Sequence, residues 1–255
     1  MKIIVEAKQV KKVYGSKGNV YTALQEINLT VEEGEFVGIM GPSGSGKTTL
    51  LNLLATIDQP TSGEIIIDGT QLVKMNESQL SAFRREKLGF IFQDYNLLDT
   101  LTVKENILLP LALARMNSKE LERRVEVISR KFGIHGIIDK YPYQISGGQK
   151  QRTAACRAIV SSPSLVLADE PTGSLDSKSA TELLESLQQL NSQDKSTILM
   201  VTHDAFAASY CSRVLFIKDG QMFTELVKGA ATRKDYFNKV MDVLSVLGGG
   251  ASDLI

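Results

Sequence analysis

Phe36-Val37-Gly38-Ile39-Met40-Gly41-Pro42-Ser43-Gly44-Ser45-Gly46-Lys47-Thr48-Thr49-Leu50-Leu51-Asn52-Leu53-Leu54 decides the fold of this 255-residue chain. The run Phe36 to Met40 is nearly all apolar, as a central strand covered on both faces requires. Thr48 to Leu54 reads as a buried helix. Between them, Gly41 to Thr48 supplies a Gly, four residues, Gly-Lys, then a Thr. In a glycine-rich turn, successive backbone N–H groups form a concave nest for anions, and the helix N-terminus adds its positive dipole end. Lys47 then reaches the β- and γ-phosphates of a nucleoside triphosphate, and the Thr48 hydroxyl is placed to ligate Mg²⁺. The residues expected to hold the nucleotide here are Gly41, Ser43, Gly44, Ser45, Gly46, Lys47, Thr48 and Thr49.

Upstream, residues 3–40 alternate in a β manner. Ile3-Val5-Ala7 with Val10-Val13 predicts one strand and Leu24-Ile27-Leu29-Val31 a second. Gly34 reads as a turn between paired strands. Ile65-Ile66-Ile67 predicts another strand, turned by Asp68-Gly69. From about residue 74 the pattern becomes helical: Glu77–Lys87 and Ser118–Phe132 carry charged faces, and Val103–Leu113 is apolar. Only Gly89-Phe90-Ile91-Phe92 interrupts it as a strand. After residue 163, strands alternate with helices. Leu165–Ala168, Ile198–Val201 and Val214–Ile217 predict strands, and Ala180, Leu183, Leu184, Leu187 and Leu190 mark a helix over 177–191. Alternating units of this kind imply a parallel sheet covered by helices, with the helical middle as an insertion.

Leu165-Val166-Leu167-Ala168-Asp169-Glu170 is an apolar strand ending in two carboxylates. Ligands of a parallel sheet gather at the carboxyl ends of its strands. Asp169 is therefore expected at the Mg²⁺, and Glu170 at the attacking water, since phosphoryl transfer needs a metal carboxylate and a water-positioning group.

A kinase, a GTPase and a transport ATPase would all share these two motifs. Ile145-Ser146-Gly147-Gly148-Gln149 closely resembles the signature of ABC ATPases, with Ile at a position usually held by Leu. Ser146 and Gln149 also fit a capping box that opens a helix through Ala155 and Ile159. Gln93, at the end of a strand, resembles the family's Q-loop glutamine. Ser174-Leu175-Asp176 resembles its D-loop, and His203, after a strand, its switch histidine. Tyr14 matches the family's aromatic that stacks on adenine. The resemblance runs from about residue 3 to 226.

It implies an α/β P-loop NTPase (RecA-like) with a parallel-sheet core, an N-terminal antiparallel β portion and a helical ABC insertion. The expected division is an ATPase domain over 1–227 (core 1–93 and 163–227, insertion about 94–162) and an extension, 228–255, of unread role. Glu170, His203 and Gln93 are the expected catalytic residues. Thr48, Gln93 and Asp169 are expected at Mg²⁺. Ser146, Gly147, Gly148, Gln149 and Asp176 are expected at the ATP of a second copy, because the family sandwiches two ATPs between two subunits. Phe92 to Ile107 and Asp169 to Ser177 resemble the lipoprotein-release and macrolide-export branch. Tyr95 to Thr100, with Asp99 where many relatives carry Pro, and Ser146 to Arg152 resemble the bacitracin-resistance type of Gram-positive bacteria. The implied partner is a separate permease that removes or senses antimicrobial peptides, often beside a sensor histidine kinase. The expected place is the cytoplasm, peripheral on the inner membrane face through that permease.

Composition agrees. Lys plus Arg, at 29, balance Asp plus Glu, at 29, so no basic surplus advertises nucleic acid. A soluble ABC ATPase of DNA repair or translation would carry a long coiled-coil insert or two cassettes. A non-hydrolysing module would commonly lack the carboxylate at Glu170. The two cysteines, Cys156 and Cys211, form no CxxC, which fits a reducing compartment. The apolar run Ile3-Ile4-Val5 is too short for a signal peptide, and no stretch of about 18 apolar residues spans a bilayer. Gly248-Gly249-Gly250 reads as a mobile tail.

Overall fold

The computed structural model describes residues 2–16, 18–113 and 117–248. Two long strands come first, β1 (Ile3–Tyr14) and β2 (Tyr21–Glu32), followed by β3 (Phe36–Met40), helix α1 (Lys47–Leu54), β4 (Ser62–Ile67) and β5 (Thr70–Gln71). Helix α2 (Glu77–Lys87) leads to β6 (Leu88–Ile91), then to α3 (Val103–Leu113), α4 (Ser118–Lys131) and α5 (Gly147–Ile159). The chain ends with β7 (Leu165–Asp169), α6 (Ser177–Asp194), β8 (Ile198–Val201), α7 (Ala205–Ala208), β9 (Arg213–Lys218), β10 (Gln221–Val227) and α8 (Arg233–Gly248).

An antiparallel sheet of order β2-β1-β4-β5 stands beside a six-stranded sheet of order β10-β9-β3-β8-β7-β6. In the first, the buried side chains step from Ala7 to Val10 and from Leu24 to Ile27, three residues instead of two. Gln9 and Glu26, at φ 47° and 55°, supply the irregularities that keep both apolar sets on one face. Gly34 does not turn between paired strands as its position suggested. It leads out of one sheet into the other, because β3 pairs in parallel with β8 and β9 and never with β2. The Gly34 N–H bonds Thr197 Oγ1 at 3.0 Å, an anchor 163 residues away.

β3, β6, β7, β8 and β9 run parallel, and β10 closes one edge antiparallel to β9. Alternation along the parallel strands builds two cores. Val37, Ile39, Leu165, Leu167, Leu199 and Val201 face α1 and the first sheet. Phe36, Met40, Val166, Ala168, Ile198 and Met200 face α3 to α8. Helix α8, in the segment the sequence left unread, joins this second core through Tyr236, Val240 and Leu247. Tyr236 also donates its hydroxyl to the Leu226 carbonyl at 2.8 Å. Gly248 closes α8, and the other two glycines of the expected tail lie outside the described residues. No helix among the described residues is long and apolar enough to cross a membrane.

Candidate functional site

The strand order places the chemistry. Because β3, β8, β7 and β6 are neighbours and parallel, the turns after them open along one edge in that sequence. Those turns hold, in order, the glycine loop, His203, Asp169-Glu170 and Gln93.

The glycine loop leads into α1 with Gly46 in the left-handed region, φ 102°, and no side chain caps the helix. A Cβ at Gly46 would sit 2.6 Å from the Ala23 carbonyl oxygen, so only glycine fits there. Among the described residues, the N–H groups of Gly44, Gly46, Lys47, Thr48 and Thr49 have no hydrogen-bond acceptor; Leu50 is the first to reach back, to Gly46 at 2.9 Å. The Ser45 hydroxyl is buried without a partner. Lys47 is also buried, and its ammonium donates to the carbonyls of Gly41 at 2.9 Å and Pro42 at 2.8 Å. Burial lowers its pKa, against the pull of the Glu170 and Asp169 carboxylates. The loop is thus a set of unsatisfied donors around a cation that lacks a close anion, and a polyphosphate satisfies both.

Asp169 ends β7, half-buried, and burial followed by repulsion from Glu170 raises its pKa while Lys47 opposes the rise. Glu170 sits at φ 44°, the left-handed region, with its N–H on the Val201 carbonyl at 2.9 Å. His203 Nδ1 lies 3.1 Å from Glu170 Oε1. Gln93 follows β6, and its amide packs on Gly173, where a side chain would come within 3.0 Å of its Nε2. Among the described residues, no cluster of three or more His, Cys, Asp or Glu side chains could hold a metal ion alone. The oxygens of Thr48, Asp169 and Gln93 suit Mg²⁺ instead, which keeps waters and shares substrate phosphates with one or two protein ligands.

Two groups of expected residues lie apart from this edge. Ser146 caps α5 in a capping box: its N–H bonds Gln149 Oε1 at 3.0 Å, and its Oγ accepts from the Gln149 N–H at 3.3 Å. Gly148 packs on Ser179, and Asp176 caps α6 by accepting from the N–H groups of Lys178 and Ser179. Among the described residues, no hydrogen bond or ion pair links 146–149 or Asp176 to the glycine loop. Tyr14 is exposed at the end of β1, its hydroxyl donating to Asp58 at 2.8 Å and the Lys12 ammonium 4.7 Å over its ring.

Sequence reading missed two buried amides that shape the loops. Asn106 accepts from the Leu98 N–H at 2.9 Å and donates to the carbonyls of Leu98, Leu101 and Thr102, which holds the turn after Gln93. Gln151, on α5, donates to the carbonyls of Phe92 and Pro171. Both lie in stretches that carry the family resemblance, Phe92 to Ile107 and Ser146 to Arg152, but residue type and spacing there do not show that each amide acts on backbone.

Residues 24–173 match the sequence profile described as ABC transporter. The chain belongs to the ABC transporter family. The bacitracin export ATP-binding protein BceA of Halalkalibacterium halodurans is 54% identical over 98% of this chain and 99% of its own length. ABC transporter ATP-binding protein YxdL of Bacillus subtilis is 51% identical over 98% of the chain and 97% of its own. Among solved structures, the ABC cassette MJ0796, a protein of Methanocaldococcus jannaschii, superposes with a TM-score of 0.81 at 39% identity, over 88% of this chain and 98% of that one. That structure is described as dimeric, and a second one, TM-score 0.80, as a dimeric post-hydrolysis state bound to ADP and Pi. The chain is an ABC ATPase with the family's antiparallel sheet and α/β core.

Proposed function

We propose that this chain is the ATP-binding, ATP-hydrolysing subunit of a transporter, powering a separate permease that confers resistance to bacitracin-like antimicrobial peptides. The observation that carries it is the single sheet edge where open N–H donors, a buried lysine, two carboxylates and a histidine meet. ATP binds with its phosphates in the glycine loop and its base on Tyr14. Glu170 accepts a hydrogen bond from the attacking water, and His203 and Gln93 hold the geometry around the terminal phosphate. Mg²⁺, held by Thr48, Asp169 and Gln93, would neutralise charge on the phosphates when bound.

Ser146 is exposed and makes no bond to its own chain's loop, which leaves the signature helix free to meet the ATP of another copy. The MJ0796 cassette is described as dimeric, which supports a pairing of two copies here. The ATPase domain is 1–227, with 94–162 inserted and 228–255 as an extension. The likeness to BceA along almost the full length supports the peptide-resistance branch and a place on the inner membrane face, docked to a permease. The test is co-expression with that permease in a bacitracin-sensitive host. Resistance that depends on Glu170 supports the reading; resistance unchanged by Glu170→Gln overturns it.

A further inference from the structure

Gln151 sits five residues past Ser146 on the signature helix and is fully buried. Its Nε2 donates to the Phe92 carbonyl at 3.0 Å and to the Pro171 carbonyl at 2.8 Å. Phe92 is the residue before Gln93, and Pro171 the residue after Glu170. One amide therefore bridges the two turns that carry these side chains. Both acceptors are carbonyl oxygens, so the nitrogen must face them, and Oε1 is left buried without a partner. A position that only filled space would hold an apolar side chain and avoid that unmet acceptor. The turn it supports needs support: Glu170 stays at φ 44°, a conformation a non-glycine residue keeps only when its surroundings impose it. The same turn continues through Gly173, whose N–H bonds the Glu170 carbonyl at 3.0 Å and whose Cα faces the Gln93 amide.

We propose that Gln151 is a positioning residue for ATP hydrolysis. Through the Phe92 and Pro171 carbonyls it holds Gln93 and Glu170 at a fixed separation and ties both to the helix that opens with Ser146. The proposal rests on the roles given above to Gln93 and Glu170.

Gln151→Met keeps the length of the side chain and removes both donors; Gln151→Glu keeps the shape and turns the donor end into an acceptor. Steady-state ATPase, ATP affinity in the absence of turnover, and thermal midpoint are measured on each full-length protein. The expected result for Gln151→Met is a kcat lower by about tenfold or more with ATP affinity within about twofold of the parent. The Mg²⁺ concentration for half-maximal rate should rise, because Gln93 is displaced, and Gln151→Glu should be impaired at least as much. A kcat within about twofold of the parent overturns the proposal. So does a parallel loss of kcat, ATP affinity and thermal midpoint, which marks a merely structural residue. If Gln151→Glu does not fold, Gln151→Met decides alone. Glu170→Gln is the control: parental turnover in that variant refutes the underlying reading, whereas its inactivity beside an unimpaired Gln151→Met refutes only the role of Gln151.

Discussion

His203 Nδ1 stands 3.1 Å from Glu170 Oε1, across the adjacent ends of β8 and β7. With its proton on Nδ1, the imidazole donates to the carboxylate and presents Nε2 outward. The two side chains are therefore coupled, and the role proposed for Glu170, polarising the attacking water, can be tested by removing its charge alone. Glu170→Gln keeps size and hydrogen bonding but loses the charge. ATP binding should persist, hydrolysis should fall by about 100-fold or more, and the ATP-bound dimer should accumulate on sizing. Hydrolysis at the parental rate would remove Glu170 from that role.

Lys47→Ala removes the buried cation of the glycine loop, proposed above to meet the phosphates, and leaves the Gly41 and Pro42 carbonyls without their donor. Nucleotide affinity should drop by about tenfold or more, the worth of one lost charge-assisted contact. Titration with a fluorescent ATP analogue checks it, and an unchanged Kd contradicts the assignment.

Tyr14→Ala should weaken ATP more than Tyr14→Phe. Stacking of a base on an aromatic ring is worth about 1–3 kcal/mol and needs the ring alone. The hydroxyl is already engaged with Asp58. Calorimetric titration of the two variants should separate them; equal affinity for parent and Tyr14→Ala would take Tyr14 out of the site.

What could be read in advance was chemistry written in consecutive residues. The glycine loop, Asp169-Glu170 and the Ser146–Gln149 box each carry their partners within a few positions, so residue type and spacing suffice. The neighbours of β3 could not be read that way, because its ladder runs to strands near residues 198 and 213, and Gly34 offered only a local turn signal. β10 and α7 were missed for a related reason. The apolar residues of β10 show no clean alternation, since none of its side chains is fully buried and its register shifts between Met222 and Thr224, and α7 has only four residues, too few for a helical period. Gln151 and Asn106 lie in stretches that carry the family resemblance, but their roles were not legible, because the backbone carbonyls they bond are set by the fold and not by local spacing.

Asp68 shows the same long-range logic in stability. Its carboxylate meets Lys2 at 2.6 Å, Lys87 at 2.8 Å and the Ser164 hydroxyl at 2.8 Å, joining the first strand, α2 and the entry to β7. Lys2, then Lys87 and Ser164, hold its pKa well below the usual carboxylate range. A carboxyl depressed in the folded state stabilises fully above its unfolded pKa and loses that contribution as pH falls through the folded value. Asp68→Asn should therefore cost about 1–2 kcal/mol at neutral pH. The gap between parent and variant should narrow as pH drops below about 4. Thermal melts across that range check the sign: a gap that widens in acid would contradict it.

The central claim is that each ATP is shared between two copies, the glycine loop of one and the Ser146 helix of the other. Mixing two inactive chains tests it most directly. One carries Lys47→Ala and the other Ser146→Arg, whose bulk blocks the N-terminus of α5, and both carry Glu170→Gln to preserve the closed state. In a shared-site dimer, both lesions fall in one composite site and the second site keeps an intact loop and an intact helix start. Either chain alone spoils both sites. Size-exclusion chromatography with ATP should show dimer in the mixture and none in either variant alone. A mixture that stays monomeric, while Glu170→Gln alone dimerises, would contradict the account.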